Sequence, residues 1–79
     1  MLNIDKYNQV FCDTFSVSAG ELNENFNSDQ VENWDSVLQL SLVTSIEDSF
    51  DVMFEPEDIM DFKSYSQGKH ILAKYGVTI

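Results

Sequence analysis

Trp34-Asp35-Ser36-Val37-Leu38-Gln39-Leu40-Ser41-Leu42-Val43-Thr44-Ser45-Ile46-Glu47-Asp48-Ser49-Phe50 is the stretch whose reading decides the fold. Leu42, Val43, Ile46 and Phe50 recur at helical spacing, with Leu40 at the edge of their stripe. Val37, Ser41, Thr44, Asp48 and the following Asp51 fall on the opposite side of the same wheel. The pattern predicts an amphipathic helix over residues 36–50, opened by an Asp-Ser pair of the kind that starts helices. Val37 is then an apolar residue on a polar face. Alone that means little, but its place beside Ser36 makes it an expected partner contact.

Downstream, Pro56 suits the first turn of a short helix, expected over about Pro56 to Asp61 with Ile59 buried. Ser64-Tyr65-Ser66-Gln67 has the form of a capping box opening a last helix. Tyr65, Ile71, Leu72 and Tyr75 give that helix its core stripe, and Gly76 its stop. Upstream, Ile4, Tyr7, Phe11 and Phe15, with Val10 beside them, predict a first helix from about Asn3 to Phe15, capped by Asn3. Between Ser16 and Asp35 lie Gly20, four Asn (Asn23, Asn25, Asn27, Asn33) and several Ser. These are turn formers, so a long loop is expected. Leu22, Phe26, Val31 and Trp34 are its expected anchors, and a helical turn is expected around Asp29 to Asn33. With no period-two runs and no repeats, the fold class is all-α: a bundle of three longer helices plus one short one, with a long loop between helices one and two.

The chain has 79 residues, read as one small domain spanning 1–79. Its formal net charge is −10, from 14 acidic and 4 basic side chains. The bases are Lys6, Lys63, Lys69 and Lys74, and every acid except Asp5 lies in the base-free span from Tyr7 to Phe62. Such a surface argues against nucleic acid, whose phosphates need cations, and against an anionic membrane surface. It favours basic protein partners reached by electrostatic steering. A single cysteine, Cys12, excludes an intrachain disulfide and reads as a spectator thiol. No leader pattern opens the chain, and no apolar run approaches the roughly 18 residues of a membrane span, so a cytoplasmic protein is expected. His70 falls away from Leu72 and Tyr75 and reads as an exposed helix residue. No Ser–His or Cys–His spacing points to an enzyme, and no window supplies the alternating acids, central Gly and closing Glu of a calcium loop.

Ser36 is the residue placed for chemistry. A helix N-terminus offers unpaired N–H groups and a partial positive charge, which favour an anion such as a phosphodiester. From the residues alone, two readings stand: Ser36 caps the helix, or its hydroxyl carries a covalent group. The gapless run from Asp35 to Asp51, followed by Glu55-Pro56-Glu57-Asp58-Ile59, resembles the acyl carrier protein family. The likeness extends more weakly over roughly Tyr7 to Tyr75.

The resemblance implies a carrier and not an enzyme. Ser36, in an Asp35-Ser36 motif, would receive 4′-phosphopantetheine from coenzyme A through a Mg²⁺-dependent phosphopantetheinyl transferase. The arm's thiol would hold acyl groups as thioesters for fatty-acid, lipid or specialised-metabolite synthesis. Leu40, Val43, Ile46, Ile59, Ile71 and Leu72 would be candidates to line an acyl cavity. Asp35, Val37, Glu47, Asp48 and Asp51, with Glu57, Asp58 and Asp61 toward the third helix, would dock acyl-loading and acyl-transfer enzymes bearing basic patches. A monomer without a resident metal is expected. Val37 stands where the family usually has Leu, and Ser41 where a Glu is common. Trp34-Asp35-Ser36 looks more like stand-alone carriers of polysaccharide, lipid-tailoring and secondary-metabolite clusters. The alternatives are a peptidyl or aminoacyl carrier, or an acidic helical docking module that carries nothing.

Dense acid with few bases destabilises a compact state by self-repulsion. The melting temperature is therefore expected to rise with added NaCl or divalent cations in a thermal scan. A melting temperature unmoved by salt would count against this.

Overall fold

The computed structural model describes residues 2–32 and 34–79. Four α-helices form an all-α bundle: α1 (Asn3–Phe15), α2 (Ser36–Phe50), α3 (Pro56–Asp61) and α4 (Tyr65–Lys74). A 3₁₀ turn at Ala19–Glu21 interrupts the long loop. No strand occurs among the described residues, and none of the helices is long and apolar enough to cross a membrane.

The expected stripes are the buried ones. Tyr7, Val10, Phe11 and Phe15 of α1 pack with Leu42, Val43 and Ile46 of α2 and with Tyr65, Ile71 and Leu72 of α4. Ile4, Phe50 and Tyr75 are half-buried at the margins. Phe54 and Phe62, which flank α3, join the core although no periodic stripe marks them. Phe26 and Trp34 anchor the loop fully, Leu22 and Val31 partly.

The cap of α1 differs from expectation. Asn3 is not the cap of α1. The cap is Leu2, whose carbonyl accepts from Asp5 and Lys6, while Asn3 Nδ2 donates to Thr78 O at 3.1 Å. Asn3 therefore ties the chain's two ends together. The loop's turn overlaps the expected one, with Val31 N donating to Asn27 O at 2.9 Å and Trp34 N to Val31 O at 3.1 Å. Asn33, the end of the expected turn, lies outside the described residues. Ser64 does cap α4, its Oγ accepting from Gln67 N at 2.9 Å.

Three helices stop in the same way. A left-handed residue follows each, and the next amide bonds back to a carbonyl five residues earlier. Gly76 (φ 84°) does this for α4, with Val77 N to Leu72 O. Ser16 (φ 57°) and Asp51 (φ 53°) do it for α1 and α2, without glycine's freedom.

The loop docks through a short backbone seam. Ser28 N donates to Lys63 O and Tyr65 N to Phe26 O, both at 2.8 Å, around an antiparallel bridge between Asn27 and Ser64. The seam fixes the loop's second half against the α3–α4 junction. That junction is crowded. Tyr7, fully buried, donates its hydroxyl to Tyr65 O at 2.5 Å, and burial holds its phenol far above its ordinary pKa. Gly68 lies against the Tyr7 hydroxyl and the Phe62 ring, and a Cβ there would overlap both.

Gly68→Ala is accordingly expected to cost about 1–3 kcal/mol by overpacking, read from urea unfolding. An unchanged midpoint would mean that Tyr7 and Phe62 can part without loss.

Candidate functional site

Asp35, not Ser36, caps α2. Its Oδ1 accepts from Leu38 N at 2.9 Å, and its backbone is extended, as an N-cap requires. Ser36 is the first helical residue and is exposed. Of the two readings left open for Ser36, the capping one falls to the neighbouring carboxylate, and the hydroxyl is not spent on it. Val37 beside it is 72% exposed, on the outer face where the wheel puts it.

Ser36 opens onto a groove of about 390 Å³ between the loop, α2 and α3. Trp34, Leu40, Ile59 and Met60 give it an apolar wall, and Ser28, Asp35, Gln39 and Lys63 complete it. A second recess of about 400 Å³ lies between α1 and α2, lined by Lys6, Gln9, Asp13, Ser45 and Asp48 among others. That recess mixes charged, polar and apolar lining and does not include Ser36. The groove combines an exposed hydroxyl with a surface able to hold an apolar group, so it is the better candidate site.

Gln39 builds the groove, and the sequence reading passed over it. Its Oε1 accepts from Trp34 Nε1, and its Nε2 donates to Ile59 O at 2.9 Å and Phe62 O at 2.5 Å. One side-chain amide thus joins the end of the loop, α2 and the C-terminal end of α3. The signal was present: Gln39 occupies the apolar side of the wheel, four residues before Val43 and seven before Ile46. A polar residue there needs partners when it is buried.

The acidic docking residues divide. Asp48, Asp51 and Glu57 are exposed, as are Asp35 and Asp61. Glu47 is half-buried, and its Oε2 accepts from Phe54 N at 2.7 Å. Asp58 departs most from expectation. It is only 6% exposed, held by Lys74 Nζ and the Tyr75 hydroxyl at 2.5 Å each. It is a structural carboxylate and does not belong to an open docking surface. The Lys74 bond, then the Tyr75 bond, hold its carboxyl below its usual range despite burial. The Asp58 bond in turn raises both Lys74 and Tyr75.

The expected cavity lining divides as well. Val43, Ile46, Ile71 and Leu72 are packed in the core. Ile59 is half-buried rather than buried, and Leu40 is 60% exposed. Both line the surface groove and not the interior. α3 is only six residues long, and Ile59 on it faces Leu40 of α2 across the groove. Met60, 71% exposed, and Lys63 are further groove residues that no motif marked. Cys12 is half-buried, and His70 exposed. Among the described residues, no group of three or more His, Cys, Asp or Glu side chains is placed to hold a metal ion.

Comparison of the chain with models of protein families and with curated proteins finds no match.

The cap assignment makes a direct comparison possible. Asp35→Ala is expected to lower unfolding stability by about 1 kcal/mol. Ser36→Ala should stay within about 0.5 kcal/mol of the parent. The reverse order in denaturant titrations would return the capping role to Ser36.

Proposed function

We propose that the chain is an acyl carrier whose Ser36 bears 4′-phosphopantetheine. One observation carries this reading: an exposed Ser36 hydroxyl, relieved of capping by Asp35, at the mouth of an apolar groove. The run from Asp35 to Ile59 that resembles the carrier family is its sequence counterpart. The local chemistry fits a tethered phosphodiester. The first-turn N–H groups of α2 favour an anion, and Lys63 stands on the groove with Ser36.

In the loading step, Ser36 Oγ attacks the pantetheine-bearing phosphorus of coenzyme A on a transferase. The new O–P bond forms as the pyrophosphate bridge breaks and adenosine 3′,5′-bisphosphate leaves. The serine proton passes to a base of the transferase. When bound, the arm supplies a thiol for thioester exchange. This chain's own part is to present the hydroxyl, give the arm an apolar surface to lie against, and offer partners an acidic outer face. Val37, Asp48, Asp51 and Glu57 would form that face, reading partners with basic patches. The density of exposed acid favours an acyl carrier over a peptidyl one.

Intact mass after incubation with coenzyme A, Mg²⁺ and a broad-specificity phosphopantetheinyl transferase is the test, with Ser36→Ala beside it. One added phosphopantetheine is expected on the parent and none on the variant. No gain with several transferases on folded protein would sink the carrier reading and leave an acidic docking module.

A further inference from the structure

The chain has four lysines, and three of them are committed to contacts within the fold. Lys74 is paired with Asp58. Lys6 donates to Ser49 O at 3.3 Å and lies 5.5 Å from the centre of the Phe50 ring. Lys69 stands over the Tyr65 ring at 4.5 Å. Lys63 differs. Its side chain is exposed and makes no ion pair or ring contact among the described residues.

The backbone of Lys63, by contrast, is held on both sides. Its own carbonyl accepts from Ser28 N at 2.8 Å, the Phe62 carbonyl accepts from Gln39 Nε2, and Ser64 pairs with Asn27. The preceding Phe62 ring is fully buried. A flexible stem with a charged tip thus starts from a fixed point and lines the groove that also holds Ser36. The charged residues of that lining are Asp35 and Lys63, on a chain of net charge −10.

A phosphate on Ser36 adds negative charge beside the Asp35 carboxylate. Asp35 already takes the Leu38 amide at 2.9 Å, so part of the positive field at the start of α2 is answered before any phosphate arrives. Like charges side by side cost free energy, and a nearby ammonium offsets that cost. We propose that Lys63 is a positioning residue for the phosphate carried on Ser36. Its ammonium pairs with the phosphate oxygens and draws them toward the α3–α4 junction. The tethered arm then leaves Ser36 along the apolar wall of Trp34, Leu40, Ile59 and Met60. The proposal rests on the carrier reading and names what orients the arm. An exposed pair contributes little strength, so its effect is on direction. Lysine suits that task, because a compact charge with rotatable donors meets a phosphate from several angles.

A full-length chain made by total synthesis with phosphoserine at position 36 tests Lys63 without any transferase. Phosphoserine passes from monoanion to dianion at about pH 6, which phosphorus NMR follows directly. A cation beside it favours the dianion. In Lys63→Gln the proton affinity of that phosphate is expected to rise about twofold to fivefold over the parent. Lys63→Arg should restore most of the difference, and high NaCl should close it. His70 is present in every chain, so its own titration cancels in the comparison. Urea midpoints should coincide, since the exposed side chain holds nothing in the fold. Equal titrations of parent and Lys63→Gln, or a Lys63→Arg chain that behaves as Lys63→Gln, would overturn the proposal. If the phosphoserine chain does not fold, the phosphorus line of the phosphopantetheine-loaded protein decides, parent against Lys63→Gln over the same salt series. Failure of loading in the mass measurement would sink the carrier reading and leave the phosphoserine titration readable by itself.

Discussion

The ring of Phe11 is the contact on which the rest of the structure depends. Its centroid lies within 4.9–6.2 Å of six other aromatic rings: Tyr7, Phe15, Phe26, Trp34, Phe62 and Tyr65. Those rings come from α1, the long loop, the α3–α4 junction and the start of α4. Tilted and edge-on pairs at such distances each add about 0.5–1.5 kcal/mol beyond area burial. A domain of this size has a small core and here no disulfide to supplement it. One central ring that several segments share lets that small core organise a loop that has little regular structure.

The aromatic hub also explains why Ser36 is so definitely placed. Trp34 and Phe26 are drawn to Phe11, and the seam from Phe26 to Ser28 fixes the loop against residues 63–65. Asp35 then follows the anchored indole directly and caps α2. The exposed hydroxyl therefore hangs from a rigid support, although it lies at the end of an irregular segment. The opposite wall of the groove, α3, buries only Asp58 of its own residues and joins that hub through Phe62 at its end. Hydrogen bonds to Asp58 and from Gln39 supplement the aromatic packing on that side.

Much of this was legible in the sequence because it depends on local periodicity. The stripes of Tyr7, Phe11 and Phe15 and of Leu42, Val43 and Ile46 determine helix position and face together, so the bounds of α1 and α2 follow, and Pro56 sets the start of α3. The exposed Val37 followed from the same wheel. What escaped the sequence reading depends on pairing across distance. Asp58 looks like any surface acid until Lys74 and Tyr75, 16 and 17 residues on, are seen to enclose it. Gln39 looks like a blemish in a stripe until the carbonyls at the end of α3 are placed beside it. Asn3 is the first helical residue instead of the cap, and its side-chain amide nitrogen is tied to Thr78 O, 75 residues on. Which of Asp35 and Ser36 caps α2 was open for a local reason: two capping residues stand side by side, and composition alone does not choose between them.

The backbone seam between residues 26–28 and 63–65 has a consequence for biosynthesis. Loop residues that frame Ser36 reach their final place only when a segment far downstream has left the ribosome to pair with them. A nascent chain can already contain all of α2, with Ser36 at its tip, and still lack the Lys63 edge and the α3 wall of the groove. A partner that recognises the assembled groove is thereby blind to unfinished chains. The order of synthesis thus sets when the groove beside Ser36 is complete.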